Sequence, residues 1–175
     1  IVDCDWSSDV CSSDLATTFT VNQADLGAGG TNSAVISTTT QTTDTILAAD
    51  TVLDLSSTAL TGIEVLQANS AAGTTFKVNQ ADLGAGGTDS AVTGHTSGSD
   101  VLMAMDTALN LTSTVLTSVE KLAAGKSTAT TFTVDVADLV ASGSVVGSTG
   151  VDTLVVADST IDLSSITLKI GRAHV

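Results

Sequence analysis

Apolar and polar positions alternate along this chain in short bursts, and the bursts recur. Phe76 and Val78 flank Lys77, a period of two that predicts a strand with one buried face. Asn79-Gln80-Ala81-Asp82-Leu83 follows and predicts a single helical turn with Leu83 inward. Gly84, Gly86 and Gly87 close it, since glycine tolerates the positive φ of such corners. A Thr/Ser/Gly-rich variable loop comes next. Three further strand candidates follow: Asp100-Val101-Leu102, the apolar-polar-apolar Leu109-Asn110-Leu111, and Val119-Glu120-Lys121-Leu122.

The same order occurs three times. TTFTVNQADLGAGG starts at Thr17, TTFKVNQADLGAGG at Thr74 and TTFTVDVADLVASG at Thr130. Phe19, Phe76 and Phe132 are all the phenylalanines there are, spaced by 57 and 56 residues. A fixed period of this length predicts stacked units that cannot bury their apolar faces alone. About five strands per copy fit either a hairpin-built sandwich or a coil whose strands pair in parallel. No Asn-Gly or Asp-Gly turn stands at a strand junction, which argues against hairpins. The reading is all-β: a parallel β-solenoid of ~56-residue repeats with a short helical turn per repeat. Equivalent strands are expected to lie over one another, with two coils per copy as one arrangement. The copies run near 17–73, 74–129 and 130–169, the last one truncated.

Both ends leave this pattern. Asp9, Ser8 and Trp6 stand at the same distances before Phe19 as Leu66, Val65 and Ile63 before Phe76. Lys169-Ile170-Gly171-Arg172 replaces the small polar pair and Ile-Glu that the other copies predict. DWSSDVCSSDL (5–15), with Ile1 to Cys4 before it, resembles the translation of a sequencing-library adapter, and IGRAHV (170–175) resembles its reverse complement. That resemblance implies that 1–15 and 170–175 are foreign to 16–169, which is then a piece of a longer protein. Cys4 and Cys11 drop out of the account with them, so no disulfide or metal pair is read from the cysteines.

Composition narrows the picture. The chain is 42% hydrophobic but only 2% aromatic, which suits a narrow interior of small aliphatic side chains. The net charge is −14; without the two end peptides there are still 15 acids against 4 bases. Such a surface repels phosphate backbones, so nucleic acid is not an expected partner, whereas cations are attracted. No apolar run approaches the ~20 residues of a membrane span.

Gly147 with Gly150-Val151-Asp152-Thr153-Leu154, and Gly98-Ser99-Asp100-Val101-Leu102, resemble part of the nonapeptide of RTX-type calcium-binding repeats. In the first copy Asp44 and Ile46 match, and Thr42 replaces the glycine. The composition and phrases such as LDLSSTALTGIE also resemble large bacterial surface proteins, namely adhesins, S-layer-like proteins and type I-secreted proteins. These resemblances imply an extracellular or cell-surface location, a structural role and calcium dependence. The calcium ligands they imply are Asp44, Asp100 and Asp152, with backbone carbonyls freed by Gly98 and Gly150.

The acids recur in register: Asp25, Asp82 and Asp138; Asp50, Asp106 and Asp158; Asp54, Asn110 and Asp162. If like lies on like, each set forms a column that a calcium ion would relieve of its repulsion, as calcium takes 6–8 oxygen ligands. The plainer reading makes them solvated turn formers, with Asp82 and its equivalents facing water. Neither reading requires an enzyme. His95 is alone in a Gly-Thr-Ser loop, no G-x-S-x-G elbow occurs, and Gly84-Ala85-Gly86-Gly87 lacks the Lys-Ser/Thr of a phosphate loop. Thr18, Thr20, Thr131 and Thr133 suggest a flat Thr array, but Lys77 interrupts it. The expected role is therefore a non-enzymatic stalk, spacer or layer element. Its partners would be neighbouring repeats of the same longer chain and a carbohydrate or cell-surface target. The alternative is a fragment of a carbohydrate-active β-helix enzyme whose active site lies elsewhere.

Overall fold

The computed structural model describes residues 16–26, 33–37, 43–84 and 90–170. Among these residues every strand pairing is parallel, and the chain winds through about six turns of an all-β solenoid. The strands, in chain order, are β1 (Thr18–Val21), β2 (Ala34–Ile36), β3 (Thr45–Ala48), β4 (Val52–Asp54), β5 (Ala59–Thr61), β6 (Val65–Ala68), β7 (Thr75–Val78) and β8 (Ser90–Thr93). They continue as β9 (Val101–Ala104), β10 (Ala108–Asn110), β11 (Thr114–Thr117), β12 (Lys121–Ala124), β13 (Thr131–Val134), β14 (Ser144–Val146), β15 (Thr153–Val156) and β16 (Thr167–Lys169). Three 3-10 turns, Gln23–Leu26, Gln80–Leu83 and Val136–Asp138, carry the Asn/Asp-x-Ala-Asp sequences.

The coil has three faces. The first face stacks β1, β3, β6, β8 and β11. The second stacks β4, β7, β9, β12, β14 and β16. The third carries β2 and β5, then β10, β13 and β15, with the second 3-10 turn packed between the two groups. The first turn packs on β4 of the second face, and the third turn on β11 of the first. Each 3-10 turn thus takes a strand's station.

Each of the first two copies therefore contains seven stations, six strands and one turn, while a coil contains three. Seven stations make two coils and a third. Each copy starts one face further on than the last: Phe19 on the first face, Phe76 on the second, Phe132 on the third. This corrects the expectation that equivalent strands overlie one another, and also the arrangement of two coils per copy. Phe19 lies on Ile46, Phe76 between Leu53 and Leu102, and Phe132 between Leu109 and Leu154. The neighbours are equivalent although the faces differ. The repeat is preserved by a screw of one-third turn rather than by a vertical column.

The core follows from the period-two pattern. Phe76, Val78, Leu83, Leu102, Leu109, Leu111, Phe132 and Val134 are fully buried, with Lys77 and Thr133 turned outward. Small side chains fill the axis because three short faces leave no room for more rings. The variable loop holds a strand in each copy: β2, β8 and β14 occupy Ser-Ala-Val or Ser-Val-Val stretches. Within 161–163, by contrast, the expected strand is not formed. The end peptides fall outside the described residues apart from Ile170, which packs against the core.

Candidate functional site

The residues singled out as calcium ligands sit at corners. Asp44 precedes β3 on the first face, Asp100 precedes β9 on the second, and Asp152 precedes β15 on the third. The one-third screw separates them, so they form no column. Each is nevertheless buried, at 0%, 0% and 8% exposure. A buried carboxylate without a partner would cost several kcal/mol, on the order of a full desolvation penalty. Their partners are therefore the substance of the site.

Asp100 Oδ1 accepts the Thr74 N–H of the preceding coil at 2.6 Å. Its Oδ2 accepts the His95 N–H of its own coil at 2.8 Å. Its own N–H donates to Glu120 Oε2 of the next coil at 2.8 Å, and its carbonyl accepts from the Glu120 and Lys121 amides at 3.1 Å. One residue thus ties three successive coils. Asp44 repeats the pattern: Oδ1 accepts from Thr17 N–H, Oδ2 from Ser37 Oγ, and the backbone engages Glu64 and Val65. Asp152 accepts from the Thr130 and Ser148 amides at 2.8 and 2.6 Å, and from Ser148 Oγ. We call this the corner clamp.

Gly98 and Gly150 serve the clamp by absence of bulk. Gly98 has φ +101°, and a Cβ there would lie 2.6 Å from the Gly73 nitrogen of the coil below. At Gly150 a Cβ would lie 2.5 Å from the Ala129 nitrogen. The Gly-x-Asp spacing thus lets two corner loops touch while the Asp reaches across. Gly94 and Gly147 are similarly confined against Asp100 and Asp152.

These residues do not fit a calcium site. The carboxylate oxygens already face N–H and O–H hydrogens, where a cation would be repelled. No group of three His, Cys, Asp or Glu side chains suited to a metal occurs among the described residues.

The 3-10 turns hold a second set. Asn79 Oδ1 caps Ala81 and Asp82 amides, and Asp82 Oδ2 accepts back from Asn79 N–H at 2.7 Å. This reciprocal box satisfies two donors at once. Asn22–Asp25 and Asp135–Asp138 do the same. Asp82 and Asp138 are buried, which corrects the expectation that they face solvent; the turn of Asp82 packs between β5 and β10, and that of Asp138 packs on β11. Asp25 is exposed. Burial pushes the Asp82 carboxyl up to about 7; the Asn79 N–H opposes this, and Asp106 and Asp54 reinforce it. Burial also raises Asp138 to about 7, opposed by the Asp135 N–H and reinforced by Asp135 and Asp158.

Gln80 completes the station that its turn occupies. Its Oε1 accepts the Asn110 N–H at 2.6 Å and its Nε2 donates to the Asn110 carbonyl at 3.2 Å. The side-chain amide stands in for a strand's peptide. Gln23 does likewise with Asp54. Val136 holds this position in the third copy and is 58% exposed. Asp50, Asp106 and Asp158 each accept the amide of residue 23, 80 or 136 one coil earlier. Asp54, Asn110 and Asp162 cap the turns that follow them. Burial works against ionising Asp54, but hydrogen bonds from Ser56 and Lys77 outweigh it and hold that carboxyl below the usual range.

Sequence reasoning picked out the acids but missed Thr17, Thr74, Thr130, Glu64 and Glu120 as their partners. The available signal was that Glu64 and Glu120 each stand 20 residues after their Asp, while the threonines recur at the start of each copy, 27, 26 and 22 residues before theirs. Thr18, Thr75 and Thr131 likewise stand on three different faces, so they build no array. His95 is tied locally to Ser97 and to Asp100 through its backbone. No protein-family model, curated protein or solved structure matches this chain.

Proposed function

We propose that the chain is a non-enzymatic spacer, a stalk or layer element of a secreted or cell-surface bacterial protein, built to be extended by copies of itself. The observation that carries this reading is the corner clamp. Its bonds come from within the repeat and pass to the next coil by the same screw, so further copies join on identical terms. Buried side-chain polar atoms among the described residues all have partners, so polar chemistry is spent on cohesion. The acid-rich surface and the resemblance to bacterial surface proteins favour an extracellular setting.

A spacer must lengthen in proportion to copy number. Strands ~4.8 Å apart and two and a third coils per copy give about 11 Å per copy. Chains carrying one, two and three inserted duplicates of residues 74–129 should gain that length stepwise in small-angle X-ray scattering. A maximum dimension that stops growing, or grows by folding back, overturns the reading.

A further inference from the structure

The second copy departs from the other two at one exposed place. Where they have Asp54-Leu55-Ser56 and Asp162-Leu163-Ser164, it has Asn110-Leu111-Thr112. Asn-x-Thr is the acceptor sequence for sugar transfer to asparagine, and it belongs on a surface. The other asparagines, Asn22, Asn32, Asn69 and Asn79, each have Ala two residues on, so the sequence holds a single acceptor.

The local geometry fits that chemistry. Asn110 ends β10 with its side chain exposed. Gln80 holds the backbone N–H and carbonyl of Asn110, which fixes the residue at the surface. Asn110 Oδ1 accepts from the Thr112 N–H at 3.1 Å and from Thr112 Oγ1 at 2.9 Å. Nδ2 has no partner among the described residues. An amide nitrogen is a poor nucleophile because its lone pair is shared with the carbonyl. Two donors on Oδ1 stabilise the form that carries negative charge on oxygen, which eases loss of an Nδ2 proton.

Beside Asn110 lies a shallow groove of about 460 Å³, lined also by Gln80, Asp106, Thr107 and Thr133. In the first copy the equivalent place is crossed by the Lys77–Asp54 ion pair at 3.3 Å. Asn110 stands in register with Thr133 just as Asp54 stands with Lys77. Exchange of both partners removes the ion pair and leaves the groove open. Its hydroxyls, amides and the Asp106 carboxylate suit the hydroxyls of a sugar ring.

We propose that Asn110 is a glycosylation site, which receives a sugar on Nδ2 from a donor activated at C1 by a diphosphate. The bond from Nδ2 to C1 forms as the bond from C1 to the diphosphate oxygen breaks. That electron pair leaves with the diphosphate, and one Nδ2 proton passes to a base of the transferase. Oδ1 is untouched and keeps both Thr112 bonds, so the turn survives and the first ring lies along the groove. A lipid-linked pyrophosphate and a nucleotide diphosphate supply the same chemistry at Asn110. The proposal rests on the acceptor and not on the spacer reading, which the length test decides separately.

Two arms separate the donors. In one, the full chain is secreted from a host whose transferase uses the lipid-linked donor. In the other, the purified full chain meets a soluble asparagine glycosyltransferase and UDP-glucose. Intact mass and peptide mapping should find sugar at Asn110 in at least one arm, and an arm that stays bare excludes its donor. Thr112→Ser should keep the sugar; Thr112→Ala and Asn110→Asp should lose it. Asn110→Asp brings in the carboxylate that caps the same turn at Asp54 and Asp162, so its circular dichroism should be unchanged. The sugar-bearing chain should melt no lower than the bare one. No sugar in either arm, sugar that persists in Thr112→Ala or Asn110→Asp, or a lower Tm with the sugar in place overturns the proposal.

Discussion

Asp100 and Thr74 are 26 residues apart in sequence and one coil apart in space, joined by a 2.6 Å bond from the Thr74 amide to the Asp100 carboxylate. The bond is buried, and the same carboxylate holds His95. Asp100→Ala therefore strands two amides, each worth about 1.5–3 kcal/mol when bonded to a charged group. A loss of about 3 kcal/mol or more is expected, lowering Tm by roughly 6–12 °C. Asp25→Ala, at an exposed equivalent of Asp82, should cost under about 1 kcal/mol. Thermal melts of the two variants side by side check this. Equal losses would remove the clamp from the account.

The corner glycine gives a separate handle. Gly98→Ala puts a methyl group against backbone and forces an L residue to φ +101°. Strain of this kind costs on the order of 1–3 kcal/mol. The expected result is a lower urea midpoint with an unchanged slope. An unchanged midpoint would mean that the two corner loops do not touch.

Two buried carboxyls set a pH dependence. The folded-state values of Asp82 and Asp138 are about 7, above the 3.8 of the unfolded chain. The folded state thus binds more protons between those values, and stability falls as pH rises from about 4 towards 7. Each group contributes up to about 1.4 kcal/mol per pH unit in that window. Asp54 acts oppositely: its lowered value gives stability that is lost on acidification below about 4. Tm should be higher at pH 5 than at pH 8, and Asp82→Asn should flatten the difference. A Tm that rises steadily from pH 5 to 8 contradicts the burial of these acids.

Calcium offers a sharp contrast with the family resemblance. A cation that bound only the folded state would raise Tm by mass action. The clamp oxygens are taken by amides, so Tm in millimolar calcium and in excess chelator should agree within about 1 °C. A rise of several degrees with calcium would show that the carboxylates exchange their amide partners for the ion.

Much of the fold was legible because period-two alternation survives in single strands. Phe76, Val78, Leu83 and Leu102 face inward as their spacing implies. The screw was not legible from the spacing of the phenylalanines alone, because a 56-residue period does not reveal how many coils it spans. The missing information lay in β2, β8 and β14, whose Ser-Ala-Val or Ser-Val-Val cores are short and sit among loop-like residues. Counting them gives seven stations and hence the third of a turn. The acids were legible as a recurring set, but not as a clamp, since that needs Thr74 to be known as the neighbour one coil down. Burial of Asp82 was hidden for the same reason: its turn is packed between β5 of the preceding copy and β10 of its own.

The one-third screw underlies all of this, and cross-linking tests it most directly. Lys77 and Met103 are opposed on neighbouring strands of the second face, whereas Thr133, the repeat equivalent of Lys77, stands on the third. Neighbouring strands lie ~4.8 Å apart, within disulfide range. In a background with Cys4 and Cys11 replaced by serine, Lys77→Cys with Met103→Cys should form a disulfide on mild oxidation. Lys77→Cys with Thr133→Cys should remain reduced. The reverse outcome would place like over like and contradict the screw.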